Sequence, residues 1–361
     1  MLGSVETLLE LLLDEDPITK IDAIKQFGSV SQDDREKLFE KVLEDLSHEV
    51  REEAANNIEF CPSMYKKYLA DPDPRVRIAI IRNSVKIRKT ETDILKTLKG
   101  LIDDPDPEVR CAFAKILQQH SEYNSGNKAN DDKVLKSSII PTIELLLSDQ
   151  ADIVRITASD NIKYLTIQRG FDFVFEELQK SLNLILTDPQ WRIRINGVSF
   201  LFGLARVCEI EFFNNNLLPF LLQFLKDPSM KIRQFATQSL PALAIHFGEE
   251  WLKVKLVKDL QTLAESNNLF YRQTYLNCLS QLVEFFPVEY QSNYVFQEMI
   301  RMLKDKEQNV VILAIDLLSK HKQSIHPFKI KYELKPIITK LAENSPPTIK
   351  SKAAKFIEDL N

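Results

Sequence analysis

The sequence predicts an all-α solenoid, a right-handed α-α superhelix of about ten stacked helix pairs over residues 1–361. Three observations predict it. A turn signature recurs at a regular period, the segments between turns carry apolar residues at helical spacing, and each turn is followed at constant offsets by the same residue types.

The turn signature is an apolar run, an acid, about four polar or proline residues, a β-branched residue, then Arg or Lys. It reads LADPDPRVR ending at Arg77, IDDPDPEVR at Arg110, LSDQADIVR at Arg155, LTDPQWRIR at Arg194 and LKDPSMKIR at Arg233. The marker acids are Asp14, Asp45, Asp71, Asp104, Asp149, Asp188 and Asp227, and the phase continues through Ser266, Asp305 and Asn344. From Asp149 to Asn344 every neighbouring pair of markers is 39 residues apart. Five residues after the marker stand Val50, Val76, Val109, Val154, Ile193, Ile232, Tyr271, Val310 and Ile349. One residue further stand Lys20, Arg51, Arg77, Arg110, Arg155, Arg194, Arg233, Arg272 and Lys350, with Val311 as the exception. Alanine recurs nine after the marker at Ala23, Ala54, Ala158, Ala236, Ala314 and Ala353, and proline eight before it at Pro141, Pro219 and Pro336.

The physics of the unit follows from this pattern. The marker ends a first helix and is expected to cap the second through its side-chain oxygen. The small alanine lets neighbouring helices approach closely. One helix pair cannot bury its apolar face alone, so neighbours stack and stability is shared along the array. The recurring arginine is read as the partner of a marker aspartate in an adjacent repeat, in preference to a phosphate reader. Asp149, Arg155, Asp188, Arg194, Asp227 and Arg233 are the expected rungs of that ladder.

The irregularities divide the chain. Early markers at 14, 45, 71 and 104 lie 31, 26 and 33 residues apart, so residues 1–120 form compact, divergent repeats. The step from 104 to 149 is longer and contains the polar string SEYNSGNKANDD, read as a flexible surface loop over 121–135. Residues 136–361 carry the regular repeats.

Composition narrows the function. The net charge of −5 argues against general nucleic-acid binding. A basic stretch from Lys66 to Lys99 is read as a solvated helix face with structural arginines rather than a phosphate patch. Cys61, Cys111, Cys208 and Cys278 show no paired spacing and read as small buried hydrophobes in a reducing compartment. The start lacks a signal-peptide pattern, no apolar run is long enough to span a bilayer, and the cytoplasm is the expected compartment, with the nucleus second. No phosphate-binding, dinucleotide, nucleophile-elbow or zinc-protease motif is present, and the five histidines are scattered, so no catalytic residue, metal site or cofactor is assigned.

The turn Asp-Pro-Gln-Trp-Arg-Ile-Arg at 188–194 stands out, because Trp and Arg are the residue types enriched in binding hot spots. The alternative is that Trp191 folds back on its own repeat. Later turns carry Met230 and Lys231, Leu269 and Phe270, and Gln308 and Asn309 at matching places. Together with Trp191 and Arg192 these are the candidate partner-binding residues.

The period and its turns resemble HEAT repeats, and the second half resembles the scaffold subunit of the protein phosphatase 2A family. The segments carrying this are DPQWRIR at 188–194, EIEFFNNNLLPFL at 209–221, HFGEEWLK at 246–253 and NNLFYRQTYLNCLSQLVE at 267–284. The likeness is specific over about residues 136–361 and generic before that. It implies a non-catalytic scaffold that holds a serine/threonine phosphatase catalytic subunit through the turns of its last five repeats, with Trp191 and Arg192 on the family's Trp-Arg contact pair. It implies a second partner, a regulatory subunit. The departures are Ser266, Asn344 and Val311, and about five N-terminal repeats of the family's fifteen are absent. A HEAT adaptor for transport or assembly is the alternative.

Overall fold

The structure, a computed structural model, describes residues 4–87, 94–121, 132–170, 173, 176–177 and 183–360. Every regular element among them is helical. The chain divides into two compact units, Met1–Asn196 and Gly197–Asn361. The division falls inside the Trp191–Ala205 helix, not at the 121–135 insertion where the sequence changes character.

In the first unit the second helices of successive repeats are Pro17–Ile24, His48–Asn56, Pro74–Ile87, Pro107–Ser121 and Asp152–Arg169, each packed on the next. In the second unit Met230–Trp251, Leu269–Leu282, Gln308–Lys320 and Pro347–Asp359 pack in the same way. The recurring small residue explains how closely they pack: Ala23, Ala54, Ala158, Ala236, Ala314 and Ala353 are all fully buried. The β-branched position is buried too, from Val50 to Ile349, with Tyr271 half-buried as the exception.

The turn between the two helices of a repeat is built from its marker, though not as a direct cap. One oxygen of Asp71 accepts the backbone N–H of Asp73 at 2.9 Å, and the same bond recurs from Asp14 through Asp305. The residue two beyond the marker is the helix cap. Asp16, Asp73, Asp106 and Asn268 each accept the N–H two residues further on. Marker and cap are thus successive oxygens on one turn.

The arginine six beyond the marker ties turns together. Nη1 of Arg77 donates to the carbonyl of its own marker, Asp71, at 2.8 Å, while Nε and Nη2 each donate at 2.8 Å to the two oxygens of Asp104 in the next repeat. Arg51 does the same with Asp71, Arg110 with Asp149 and Arg272 with Asp305. Arg155 reaches Asp188 at 2.8 Å through Nε, and Lys20 reaches Asp45 at 2.7 Å.

Two features of the backbone lay outside the sequence reading. A π-helical turn recurs in the first helices at Phe213–Leu217, Leu252–Leu256, Gln291–Val295 and Ile330–Leu334, with a further one at Leu135–Ile139. It occurs with and without the recurring proline, so the proline is not its cause. Gly170 and Gly248 have φ of 86° and 80° and end their second helices in a conformation that favours glycine. Gly248 breaks the Met230–Trp251 run into two helices.

The loop expected over 121–135 lies outside the described residues for 122–131. It ends sooner than expected: residues 132–134 are helical, and Asp132 pairs with Arg169 at 3.1 Å. In the basic stretch Arg75 pairs with Asp73, Arg77 with Asp104 and Lys86 with Glu59, while Arg88 and Lys89 lie outside the described residues. Of the cysteines, Cys61 and Cys278 are buried as expected, whereas Cys111 and Cys208 are half-buried.

Candidate functional site

The candidate residues are not turn tips but the first two residues of each second helix. Trp191 opens Trp191–Ala205, Met230 opens Met230–Trp251, Leu269 opens Leu269–Leu282 and Gln308 opens Gln308–Lys320. Helix geometry then sets their direction. The residues five and six beyond the marker face the core, so the residue at four faces outward and the one at three lies at the edge of the buried face. In the first unit Trp191 is half-buried and the exposed Arg192 lays its guanidinium over the indole, 4.8 Å from the ring centroid. Neither solvent nor the core takes the whole ring.

In the second unit Met230 is 67% exposed and Phe270 50% exposed. Lys231, Gln308 and Asn309 are exposed and Leu269 is half-buried. Met230 and Phe270 line one cavity of about 380 Å³. Gln273 joins the next turn by donating to the Asn309 carbonyl at 3.3 Å.

Two of the expected ladder arginines hold the carbonyls of their own turns. Nη1 of Arg194 donates to the Asp188 and Pro189 carbonyls at 2.5 and 3.0 Å. Arg233 makes the same contacts with Asp227 and Pro228 at 2.7 and 3.0 Å. The rung expected beyond Arg233 is missing, because the next marker is Ser266. Its hydroxyl keeps the turn by accepting the Asn268 N–H at 3.1 Å, but it has no second oxygen for the arginine. Arg233 is 8% exposed, lines the same cavity, and has the Phe270 ring 5.2 Å from its guanidinium.

Proton affinities record this break. Hydrogen bonds donated to carboxylates raise Arg51, Arg77, Arg110, Arg155 and Arg272 above the ordinary arginine value. Burial lowers Arg233, with the Asp227 charge only partly opposing it. The sequence reading missed the cavity wall. Gln234 and Gln238 on one helix, and Gln273, Asn277 and Gln281 on the next, line it. Their spacing of four, one stripe per helix, was the available signal.

Two histidines and a cysteine elsewhere sit in local structural contacts. His321 is buried against the Ser280 hydroxyl at 2.8 Å, and the His326 ring accepts the Phe328 N–H at 3.3 Å. Burial pushes the Cys278 thiol up to about 12, which disfavours the reactive thiolate. Among the described residues no group of three or more His, Cys, Asp or Glu is placed to hold a metal ion, and no helix is long and apolar enough to cross a membrane.

The fold and the site invite comparison with known proteins. A family model described as PIK3R4-like, middle domain, matches residues 94–322. The A-type regulatory subunit of protein phosphatase PP2A from Saccharomyces cerevisiae is 25% identical over 242 residues, covering 64% of this chain and 37% of that protein. Among solved structures, karyopherin Kap121p bound to the extreme C-terminus of the protein phosphatase Cdc14p matches with TM-score 0.69 at 14% identity. Kap121p bound to Pho4p matches with TM-score 0.68 at the same identity, and each covers 99% of this chain. The chain spans 41% of those karyopherin chains and about a third of the curated relative. These likenesses place the fold among all-α HEAT-type helical repeats.

Proposed function

The chain belongs to the family described as PIK3R4-like, middle domain, and we propose that it is a non-catalytic repeat scaffold that binds a protein phosphatase 2A-type catalytic subunit. Binding is through first-turn residues of its second helices: Trp191 and Arg192 in the first unit, and Met230, Lys231, Leu269, Phe270, Gln308 and Asn309 in the second. A regulatory subunit is the proposed second partner. The chemistry of dephosphorylation belongs to the catalytic subunit.

One observation carries the reading. At one of the turns that carry the resemblance to the phosphatase scaffold, a half-buried Trp191 lies under an exposed Arg192. Such a pair is amphipathic and part-exposed, and Trp and Arg are the residue types that concentrate binding energy in few residues. The distant match to the yeast PP2A regulatory protein supports it.

The test is affinity capture on the full chain with purified phosphatase 2A-type catalytic subunit. Stoichiometric capture, lost in the Trp191→Ala, Arg192→Ala double variant while circular dichroism stays unchanged, is the expected result. No capture by the folded wild-type chain contradicts the proposal.

A further inference from the structure

We propose that Arg233 is a seat for the carboxylate of an aspartate or glutamate side chain presented by a docking protein, which completes from outside the arginine–carboxylate pair that Ser266 leaves unmade. The inference deepens the proposed function, since it rests on these turns binding a protein and names one chemical feature of that protein.

The seat is defined by the intact rungs. In Arg51, Arg77, Arg110 and Arg272, Nη1 is held by the carbonyl of the arginine's own marker, and the Nε–Nη2 edge takes both oxygens of one carboxylate. Arg233 keeps the first half of that arrangement. Its other edge meets no carboxylate, because the marker that would supply one is a serine whose hydroxyl is taken by the turn. Where the chain departs from the pattern elsewhere, both halves go together: Val311 replaces the arginine before the neutral marker Asn344, and it is buried. At Arg233 the cation stays and the anion is gone.

A charge that is nine-tenths buried without a carboxylate paired to it is disfavoured. The Phe270 ring offsets part of this from one face. The rest is met by what enters the cavity. Its wall carries Arg233 as a cation and no acid, and its amides both donate and accept without neutralising the guanidinium. A planar, two-oxygen anion matches the open edge as Asp104 matches Arg77. A phosphate dianion would call for a second cation, which the wall lacks. Met230 and Phe270, exposed and lining the same cavity, offer apolar contact beside the acid.

The test is nuclear magnetic resonance of the arginine Nε–H groups in the full chain, titrated separately with sodium acetate and inorganic phosphate against sodium chloride at equal ionic strength. Arg233→Lys assigns the resonance, and Ser266→Asp, which fills the seat from within, is the second variant. The expected result is a saturable shift of the Arg233 signal with acetate, absent in Ser266→Asp, whose signal already sits with those of Arg77 and Arg272. An Arg233 signal unmoved by acetate, or already at the paired position in the wild type, overturns the seat. Saturation by phosphate at lower concentration than acetate overturns the carboxylate assignment. These outcomes do not depend on any phosphatase. A separate titration with the catalytic subunit decides the partner: weaker binding by Ser266→Asp supports the proposal, and equal binding overturns the assignment of the acid to that partner while leaving the proposed function standing.

Discussion

The turn at Arg77 and the turn at Arg233 share one backbone plan and end differently. In both, the marker oxygen closes the turn and the arginine holds its own marker's carbonyl. At Arg77 the second edge closes on Asp104, buried with it. At Arg233 the next marker is Ser266, the second edge meets no carboxylate, and the side chain lines a cavity. The difference shows that the marker does two separable jobs. Capping the turn needs one oxygen and survives replacement by serine. Receiving the neighbouring arginine needs two and does not. At these two turns the outward residues differ as well: Arg75 is exposed at the first and Met230 at the second.

The largest expected effect lies at the closed rung. Arg77→Ala leaves Asp104 buried without its paired cation, which should cost about 3–5 kcal/mol in denaturant unfolding. Arg233→Ala strands no carboxylate in its own unit and should cost clearly less. Equal losses would erase the distinction between the two turns. Next come the glycines, which both units share. A methyl group at Gly170 or Gly248 would touch nothing within 4 Å, so the penalty of an alanine there is backbone strain alone. Gly170→Ala and Gly248→Ala should each cost about 1–2 kcal/mol, and similarly in the two units. Ser266→Asp should act in the opposite direction. By supplying two oxygens to a charge already buried, it should add about 1–2 kcal/mol. A destabilised Ser266→Asp would mean that the cavity edge of Arg233 is not shaped for a carboxylate.

The smallest expected effect is a pH slope confined to the second unit. Burial first, then Lys320, lowers the proton affinity of His321 below that of a free imidazole. The unfolded chain therefore binds the proton more readily than the folded one. Stability should be full above the ordinary imidazole value and decline as pH falls through about 6.5 toward the lowered folded value. Asp149 and Asp305 respond only at lower pH. Burial would raise both carboxyls, but Arg110 and Arg272 outweigh it and hold them below the usual 3.8. Their contribution is complete above that value and disappears as pH falls through the lowered one. Melting curves of wild type and His321→Gln between pH 7 and 5 separate the two. A slope unchanged in the variant would assign it elsewhere.

Much of the fold was legible because its signals sit at fixed offsets. The Val76–Arg77 and Ile232–Arg233 positions, the buried alanines and the arginine's pairing with an acid one repeat on are consequences of a constant helix phase. What was not legible is local geometry without a compositional mark. The π-helical turns share only their phase and a closing buried aliphatic residue, Leu217, Leu256, Val295 or Leu334, which an ordinary helix would carry as well. The true cap lay two residues past the marker, where Asp73 and Asp106 were visible but Ser229 and Glu307 made the position look variable. At the site, Arg233 and Ser266 were each readable, one as a rung and the other as a departure. Only the three-dimensional register of adjacent turns makes them the two halves of one broken pair.

The central claim, that the later turns and not the early ones bind a phosphatase catalytic subunit, is tested most directly by one binding titration on the full chain. Wild type, Trp191→Ala, Arg75→Ala and Glu108→Ala are compared at matched ionic strength, with a melt of each as the folding control. The account predicts that Trp191→Ala weakens binding by about 2–4 kcal/mol, roughly 30- to 1,000-fold, with little change in melting. Arg75→Ala and Glu108→Ala should bind as the wild type does. Binding by folded Trp191→Ala at wild-type affinity, or an equal loss in Arg75→Ala, would contradict it.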